Sequence, residues 1–288
     1  MQPELIDTFL DLVETRSFNK TAERLGVTQS TVSGRVRTLE RQLDARLLER
    51  SRSGTRLTTA GLRFEPHARA LRLTWAEAMQ AVRDSGSAAM TVRIGIQHDL
   101  LADGIAGWVT ALQSAVPEAA LYVEGDYSTQ MCADVMDGAL DLAIIFSPRP
   151  NPDIHFETLG SVRYDMLSTE VDHIDRVRPD RYILANYSPA FSRAHAALLP
   201  FLSGGQVSSG QHAVIRGLLT AFGGSAYLLR DTVAEMVAAG EARRVARAPR
   251  IEQPVFAVVH LRNRHRRAHR RMIERLRTHL GQARPPQR

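Results

Sequence analysis

Gln29, Ser30, Ser33 and Arg37 recur within "TAERLGVTQSTVSGRVRTLERQL", residues 21–43, at spacings that line up side chains on one face of a helix. Their shared chemistry is hydrogen bonding to a polar, anionic surface. Gln can bond two atoms of an adenine edge, and Ser can donate or accept at several bases or bond a phosphate. Arg offers a planar fork that fits phosphate or guanine. Glu at these positions would be repelled by phosphate oxygens.

Holding that face outward requires an apolar face behind it. Val32, Val36, Leu39 and Leu43 supply one, at i, i+4, i+7 and i+11. Thr28 can cap the helix through its hydroxyl, and Gly26 supplies the left-handed backbone that ends the helix before it. That preceding helix is capped by Ser17 and turns Ala22 and Leu25 inward, with Val27 plugging the turn. Leu5, Ile6, Phe9, Leu12 and Val13 form a first amphipathic helix that ends near Thr15. Two helices joined by a short Gly turn, the second with short polar side chains at its start, have the geometry that enters a major groove. The competing reading is a solvated helix pair in some other small bundle.

The next stretch weakens that alternative. "LLERSRSGTRLTTAG" places Arg50, Arg52 and Arg56 around a Ser-Gly turn, a short basic hairpin with Gly54 at its tip. It reads as a wing that touches backbone or minor groove. From Arg35 to Arg56 there are seven Arg against Glu40, Asp44 and Glu49, a local charge of +4. Positive charge thus collects where a docked helix and wing would meet phosphate. Thr58 and Thr59 can cap the following helix or bond phosphate, capping being the preferred role.

The run Ala22-x-x-Leu25, Thr28-Gln29-Ser30-x-Val32-Ser33, Arg37-x-Leu39-Glu40-x-x-Leu43 and Leu57-Thr58-Thr59-Ala60-Gly61 resembles the signature of LysR-type transcriptional regulators. Asp44 stands where that family usually has Gly, and Leu48 where it usually has Phe. The resemblance implies contacts to double-stranded DNA from Thr28, Gln29, Ser30 and Ser33, and phosphate or groove contacts from Arg35, Arg37, Arg52 and Arg56. It also implies a fold class: an N-terminal all-α winged helix-turn-helix plus linker helix, then a C-terminal α/β two-lobed domain like a periplasmic binding protein. The expected domains are residues 1–58 for DNA binding, 59–89 for a dimerisation helix and hinge, and 90–288 for effector binding. Lobe I takes about 90–161 and 251–288, and lobe II about 162–250. Within the family, "YILANYSPAFSRAHAALLP" and "RFEPHARALRLTWAEA" resemble the branch related to a repressor of flagellar master genes.

Phe64, Ala68, Leu71, Trp75, Ala78 and Val82 follow a 4-3-4-3-4 spacing, a short heptad seam that is buried only against another helix. It predicts a homodimer, with packing on its own domain as the alternative. Pro66 should kink the second turn of this helix. "DSGSAAM", residues 84–90, reads as a hinge. A two-fold dimer would read a pseudo-palindromic operator. The resemblance adds a homotetramer.

Beyond residue 90, strands and helices alternate: "TVRIGI", a helix over 102–115, "ALYVEG", a helix over 129–138, "DLAIIF", and later "RYILANY", "QVSS", "SAYLL" and "VFAVVHL", with helices between and after them. The pattern predicts α/β with largely parallel sheets, crossing between lobes near Ser161 and Arg250 in the family's arrangement. Such sheets bind ligands beyond the carboxyl ends of their strands. The loops at 97–101, 126–129, 146–150, 186–190 and 208–211 are therefore the ones to inspect. Candidate walls of a small-molecule effector cleft are Gln97, His98, Ser128, Thr129, Phe146, Asn186, Tyr187 and Ser208. Ser128, Thr129 and Ser208 can equally serve as helix caps. Arg149 and Arg193 can pair with a carboxylate effector or simply face water.

The 288 residues allow roughly two domains. A formal charge of +6, carried almost wholly by Arg since Lys20 is the only lysine, favours a polyanionic partner; a GC-rich genome would leave the same Arg bias. "RNRHRRAHRRMIERLRTH" holds eight Arg against Glu274, a basic helix face whose preferred reading is solvation over a second DNA contact. The tail "GQARPPQR" is expected to be disordered. Cys132, the only cysteine, reads as a packing residue rather than a redox sensor. The N-terminus lacks the pattern of a signal peptide and no apolar run is long enough for a membrane span, so a cytoplasmic location without membrane association is expected. No phosphate-cradling Gly loop, His/Cys metal spacing or G-x-S-x-G occurs, so neither enzyme chemistry, a cofactor nor a metal is expected. An exported solute-binding protein, the remaining alternative, would have no use for the Gln29/Ser33 helix.

Overall fold

The computed structural model describes residues 2–51, 54–83, 91–101 and 104–282. Arg52, the expected hinge at 84–90 and residues 283–288 of the tail lie outside the described residues. The chain forms two compact units, Met1–Ser85 and Gly86–Arg288.

The first unit holds α1 (Pro3–Thr15), α2 (Phe18–Arg24), α3 (Gln29–Leu43), the hairpin β1 (Leu48–Ser51) and β2 (Gly54–Leu57), and α4 (Thr59–Arg83). Phe9, Leu10 and Leu39 are fully buried beneath α4, where the Phe9 and Phe64 rings lie 5.3 Å apart. Val32 and Val36 pack α3 against Leu12 and Ala22, while Leu43, expected inside with them, is 38% exposed at the end of the helix. The α2 end is a full Schellman turn: Val27 N–H donates to the Ala22 carbonyl, Gly26 N–H to that of Glu23, and Gly26 has φ +63°. Thr28 then caps α3 by accepting from Thr31 N–H at 3.2 Å.

The expected heptad seam divides. Phe64 and Ala68 pack into their own unit, whereas Leu71, Trp75, Ala78 and Val82 form an exposed apolar stripe at helical spacing. The helix runs continuously through Pro66, which can give no N–H to the carbonyl of Leu62.

The second unit is built on a seven-stranded sheet that is mixed, correcting the expectation of largely parallel strands. β3 (Thr91–Gln97) runs parallel to β4 (Ala120–Asp126) and β5 (Leu142–Ile145). β6 (Ile154–Ser168), which the sequence reading did not register, runs antiparallel to the later strand Ile251–His260. Of the short strands between them in sequence, β7 (Ile183–Ala185) and β8 (Val207–Ser209) pair parallel with each other, and β9 (Ser225–Leu229) joins β6 antiparallel. β10 (Arg243–Arg244) adds to β6, and β11 (Ile251–His260) also borders β5.

The helices are α5 (His98–Leu101), α6 (Ile105–Ala115), α7 (Ser128–Asp137), α8 (Pro189–Leu198), α9 (His212–Phe222), α10 (Arg230–Ala238) and α11 (Arg267–Gln282). The helix expected over 102–115 is α6, which begins at Ile105, with the short α5 preceding the expected range. α11 takes in Gly281 and Gln282 from the expected tail.

Two cores result. One lies around Ile94, Leu112, Ile144 and Leu276, with Met131 and Cys132 of α7 on the other sheet face. The second surrounds Tyr164, Phe191, Leu219 and Tyr227. Val162 on β6 packs against both the first and the second. Cys132 is buried, and burial pushes its thiol pKa up, so its surroundings are those of a packing residue.

Candidate nucleic-acid interface and interlobe cleft

In the first unit, capping decides which side chains face water. The hydroxyl of Thr28 lies 2.8 Å from those of both Ser30 and Thr31. Thr28, Gln29 and Ser30 are all exposed. Ser33, half-buried, takes the Nε of Arg37 on its carbonyl at 3.3 Å and an Nη on its hydroxyl at 3.4 Å. Arg37 is exposed and thereby held along the same face. Arg35 differs: it is half-buried and donates to Thr8 of α1 at 3.3 Å, bracing the bundle. Arg56 is exposed on β2, paired in register with Glu49.

The wing is fastened to the helices by backbone. Thr55 N–H donates to the Arg16 carbonyl at 3.0 Å, and Gly54, at φ +114°, passes so close that a Cβ would stand 2.8 Å from that oxygen. Glu40 Oε1 accepts from Leu47 N–H at 2.8 Å and Leu48 N–H at 3.2 Å, so it ties α3 to the wing. Thr58 caps α4 through Gly61 N–H and donates to the Arg46 carbonyl. It therefore plays the capping role.

In the second unit the inspected loops converge between the two cores. Ser128, at the start of α7, donates to Gln97 Oε1 at 2.7 Å and accepts from Phe146 and Ser147 N–H, both at 3.3 Å. Gln97, Ser128 and Phe146 are thereby drawn together, all three buried. The Phe146 ring sits in the first core. Tyr187 is buried in the second, stacked 4.7 Å from Tyr164, and its hydroxyl donates to the Tyr227 carbonyl. Neither ring presents a free face. His98 is half-buried, edge-on to Tyr127 at 5.2 Å, while Thr129, Asn186 and Ser208 are exposed. Arg149 and Arg193 are exposed as well.

Among the described residues, two bonds join the segments around 97–127 to the start of α9. Gln211 donates to the Tyr127 hydroxyl at 3.1 Å, and His212 N–H donates to Asp99 Oδ1 at 2.8 Å. Asp99 is fully buried, and desolvation raises its pKa to about 6, against backbone N–H groups of His212 and Asp99 and the Gln97 side chain, which lower it. His212 is 2% exposed, and burial, aided by Arg216, lowers its pKa to about 4. It stays neutral near pH 7. Asp99 lies in the inspected loop 97–101 but is not among the expected cleft walls, and His212 falls one residue beyond the inspected loop 208–211; the two are separated by 113 positions, and no local signal pairs them.

The description "Bacterial regulatory helix-turn-helix protein, lysR family" matches residues 3–62, and "LysR substrate binding domain" matches residues 85–281. The HTH-type transcriptional regulator HdfR of Salmonella schwarzengrund is 28% identical over 90% of this chain and 92% of its own. That of Yersinia pestis is 30% identical over 79% of this chain and 81% of its own. Among solved structures, ArgP from Mycobacterium tuberculosis superposes with a TM-score of 0.57 at 21% identity, covering 96% of each chain. Vibrio fischeri DarR in complex with DNA gives 0.56 at 19% identity, covering 96% of this chain and 98% of that one. LysG from Corynebacterium glutamicum with bound effector Arg gives 0.55 at 19% identity, covering 98% and 99%.

Proposed function

The chain belongs to the LysR family of bacterial regulatory helix-turn-helix proteins, a DNA-binding transcriptional regulator with an effector-binding domain, and on that premise we propose how its residues divide the work. Gln29, Ser30 and Ser33 read base edges from the start of α3. Thr28 shapes that edge and meets phosphate, and Arg37, Arg52 and Arg56 neutralise phosphates along the groove and wing. Arg35 acts behind the surface, through its bond to Thr8. The observation that carries this reading is the exposed edge of hydroxyls and amide at Thr28–Ser30.

The exposed stripe Leu71, Trp75, Ala78 and Val82 supports a homodimer, whose two-fold axis sets a pseudo-palindromic operator. A homotetramer is the further assembly we assign. A small metabolite held between the lobes at Gln97, His98, Ser128, Thr129, Asn186 and Ser208 shifts the regulator between states with different DNA geometry. DarR is solved on DNA and LysG with bound Arg, and both activities fit this division of labour. The protein is a non-enzyme that acts in the cytoplasm; among the described residues no helix is long and apolar enough to cross a membrane.

Binding to duplex DNA across a salt series tests the reading. A regulator shows log Kd rising steeply with log salt as counterions are released, by about 0.9 per phosphate contacted. A flat response would remove the nucleic-acid assignment.

A further inference from the structure

Asp99 and His212 are buried, yet each keeps one polar atom without a hydrogen-bond partner, Oδ2 of Asp99 and Nδ1 of His212. Their other atoms are engaged. Oδ1 accepts from His212 N–H, and His212 Nε2 accepts from Leu229 N–H at 3.2 Å. A neutral imidazole whose Nε2 accepts carries its hydrogen on Nδ1. The pair, joined by the bond from His212 N–H to Asp99 Oδ1, therefore holds one unused acceptor and one unused donor, next to the bond from Gln211 to Tyr127. Among the described residues no cationic side chain pairs with Asp99.

The sign of the ligand follows from where the carboxylate sits. A helix N-terminus attracts anions, but the first N–H of α9 is already taken by Asp99. The start of α8 is likewise capped by Ser188, which accepts from Phe191 N–H at 3.0 Å. A ligand carboxylate arriving at Asp99 would meet a like charge, whereas an ammonium would meet an unpaired acceptor.

We propose that Asp99 and His212 recognise an amino-acid-like cation, its ammonium on Asp99 Oδ2 and its carboxylate or carbonyl on His212 Nδ1–H. This assignment rests on reading the cleft as the effector site. The groups that surround the pair are Gln97 on β3, Tyr187 after β7, whose ring centroid is 6.2 Å from that of His212, and Arg216 one turn along α9.

The test is calorimetry on the full chain at pH 7.5 with L-lysine and L-arginine, against glutarate and 2-oxoglutarate as acids without an amine. An amino acid should bind, and Asp99→Asn should weaken it by about tenfold or more. Wild-type affinity should also fall about tenfold between pH 7.5 and 5, as the carboxylate takes up a proton; this measurement stands if the variant misfolds. Unchanged affinity in Asp99→Asn, or a flat pH profile, overturns the assignment. Binding of the acids alone, weakened by Ser128→Ala, overturns the amine while keeping the cleft. If neither class binds, both readings fall.

Discussion

The two units handle polar side chains in opposite ways. At the start of α3 the hydroxyls and amide of Thr28, Gln29 and Ser30 are exposed, held by a cap three residues away, and open to a partner outside the protein. Between the two cores of the second unit, Gln97, Ser128, Asp99 and His212 are buried and are fixed by residues 31 and 113 positions away. A reader of DNA can be written locally because the duplex brings its own shape. A receptor for a metabolite has to be assembled from distant segments.

The sharpest way to break this contrast is Ser33→Glu. An anion placed beside Arg37 on the proposed reading face should reduce specific DNA affinity by about 1,000-fold, to the non-specific level, with unchanged circular dichroism. A titration showing near-normal operator affinity would mean that α3 faces something other than phosphate.

Gly61→Ala tests whether the family signature is all surface. A Cβ at Gly61 would stand 2.1 Å from the Leu47 carbonyl oxygen and 2.8 Å from Leu57 Cδ2, so backbone must move. The expected cost is about 3 kcal/mol, read from the denaturation midpoint of the full chain. A loss below about 1 kcal/mol would show that the wing junction yields easily.

For the cleft, pH is the probe. Asp99 binds its proton more tightly folded than unfolded, so its contribution is complete at low pH and is lost as pH rises from about 4 to 6. His212 binds its proton less tightly folded, so its contribution grows as pH rises from about 4 to 6.5. The two oppose one another and nearly cancel. Asp99→Asn should expose the His212 share alone, a loss of up to about 3 kcal/mol relative to wild type on going from pH 6.5 to 4. Parallel stability profiles for the two proteins would contradict the buried pair.

The same contrast explains what was legible. The Schellman end at Gly26, the Thr28 cap and the Val32–Val36–Leu39 stripe are short-range patterns, and reading them gave the first unit. The bonds from Glu40 to Leu47 and Leu48 were missed because a carboxylate reaching seven residues onward leaves no periodic mark. β6 went unread because its first ten residues are mostly half-buried with no strict in-and-out alternation, while its last five are buried throughout. In the cleft, helix-start positions were visible as Ser and Gln near strand ends. Which of them meet was not, since that depends on how segments more than 100 residues apart pack together.

Asp44 offers the finest test, because a family departure coincides with a measurable backbone cost. α3 ends in a second Schellman turn, with Ala45 N–H donating to the Glu40 carbonyl and Asp44 N–H to that of Arg41, and Asp44 sits at φ +46° where Gly is favoured. Asp44→Gly should stabilise the unit by about 0.5 to 1 kcal/mol, the left-handed strain relieved being partly offset by a freer unfolded chain. It also removes an acid from beside Arg37, Arg41 and Arg46, which should raise DNA affinity slightly at low salt. Asp44→Asn separates the two effects, since it deletes the charge and keeps a side chain: affinity should rise as in the Gly variant while the stability gain is smaller. Equal stability gains in both variants would assign the cost of Asp44 to its charge and remove the backbone explanation.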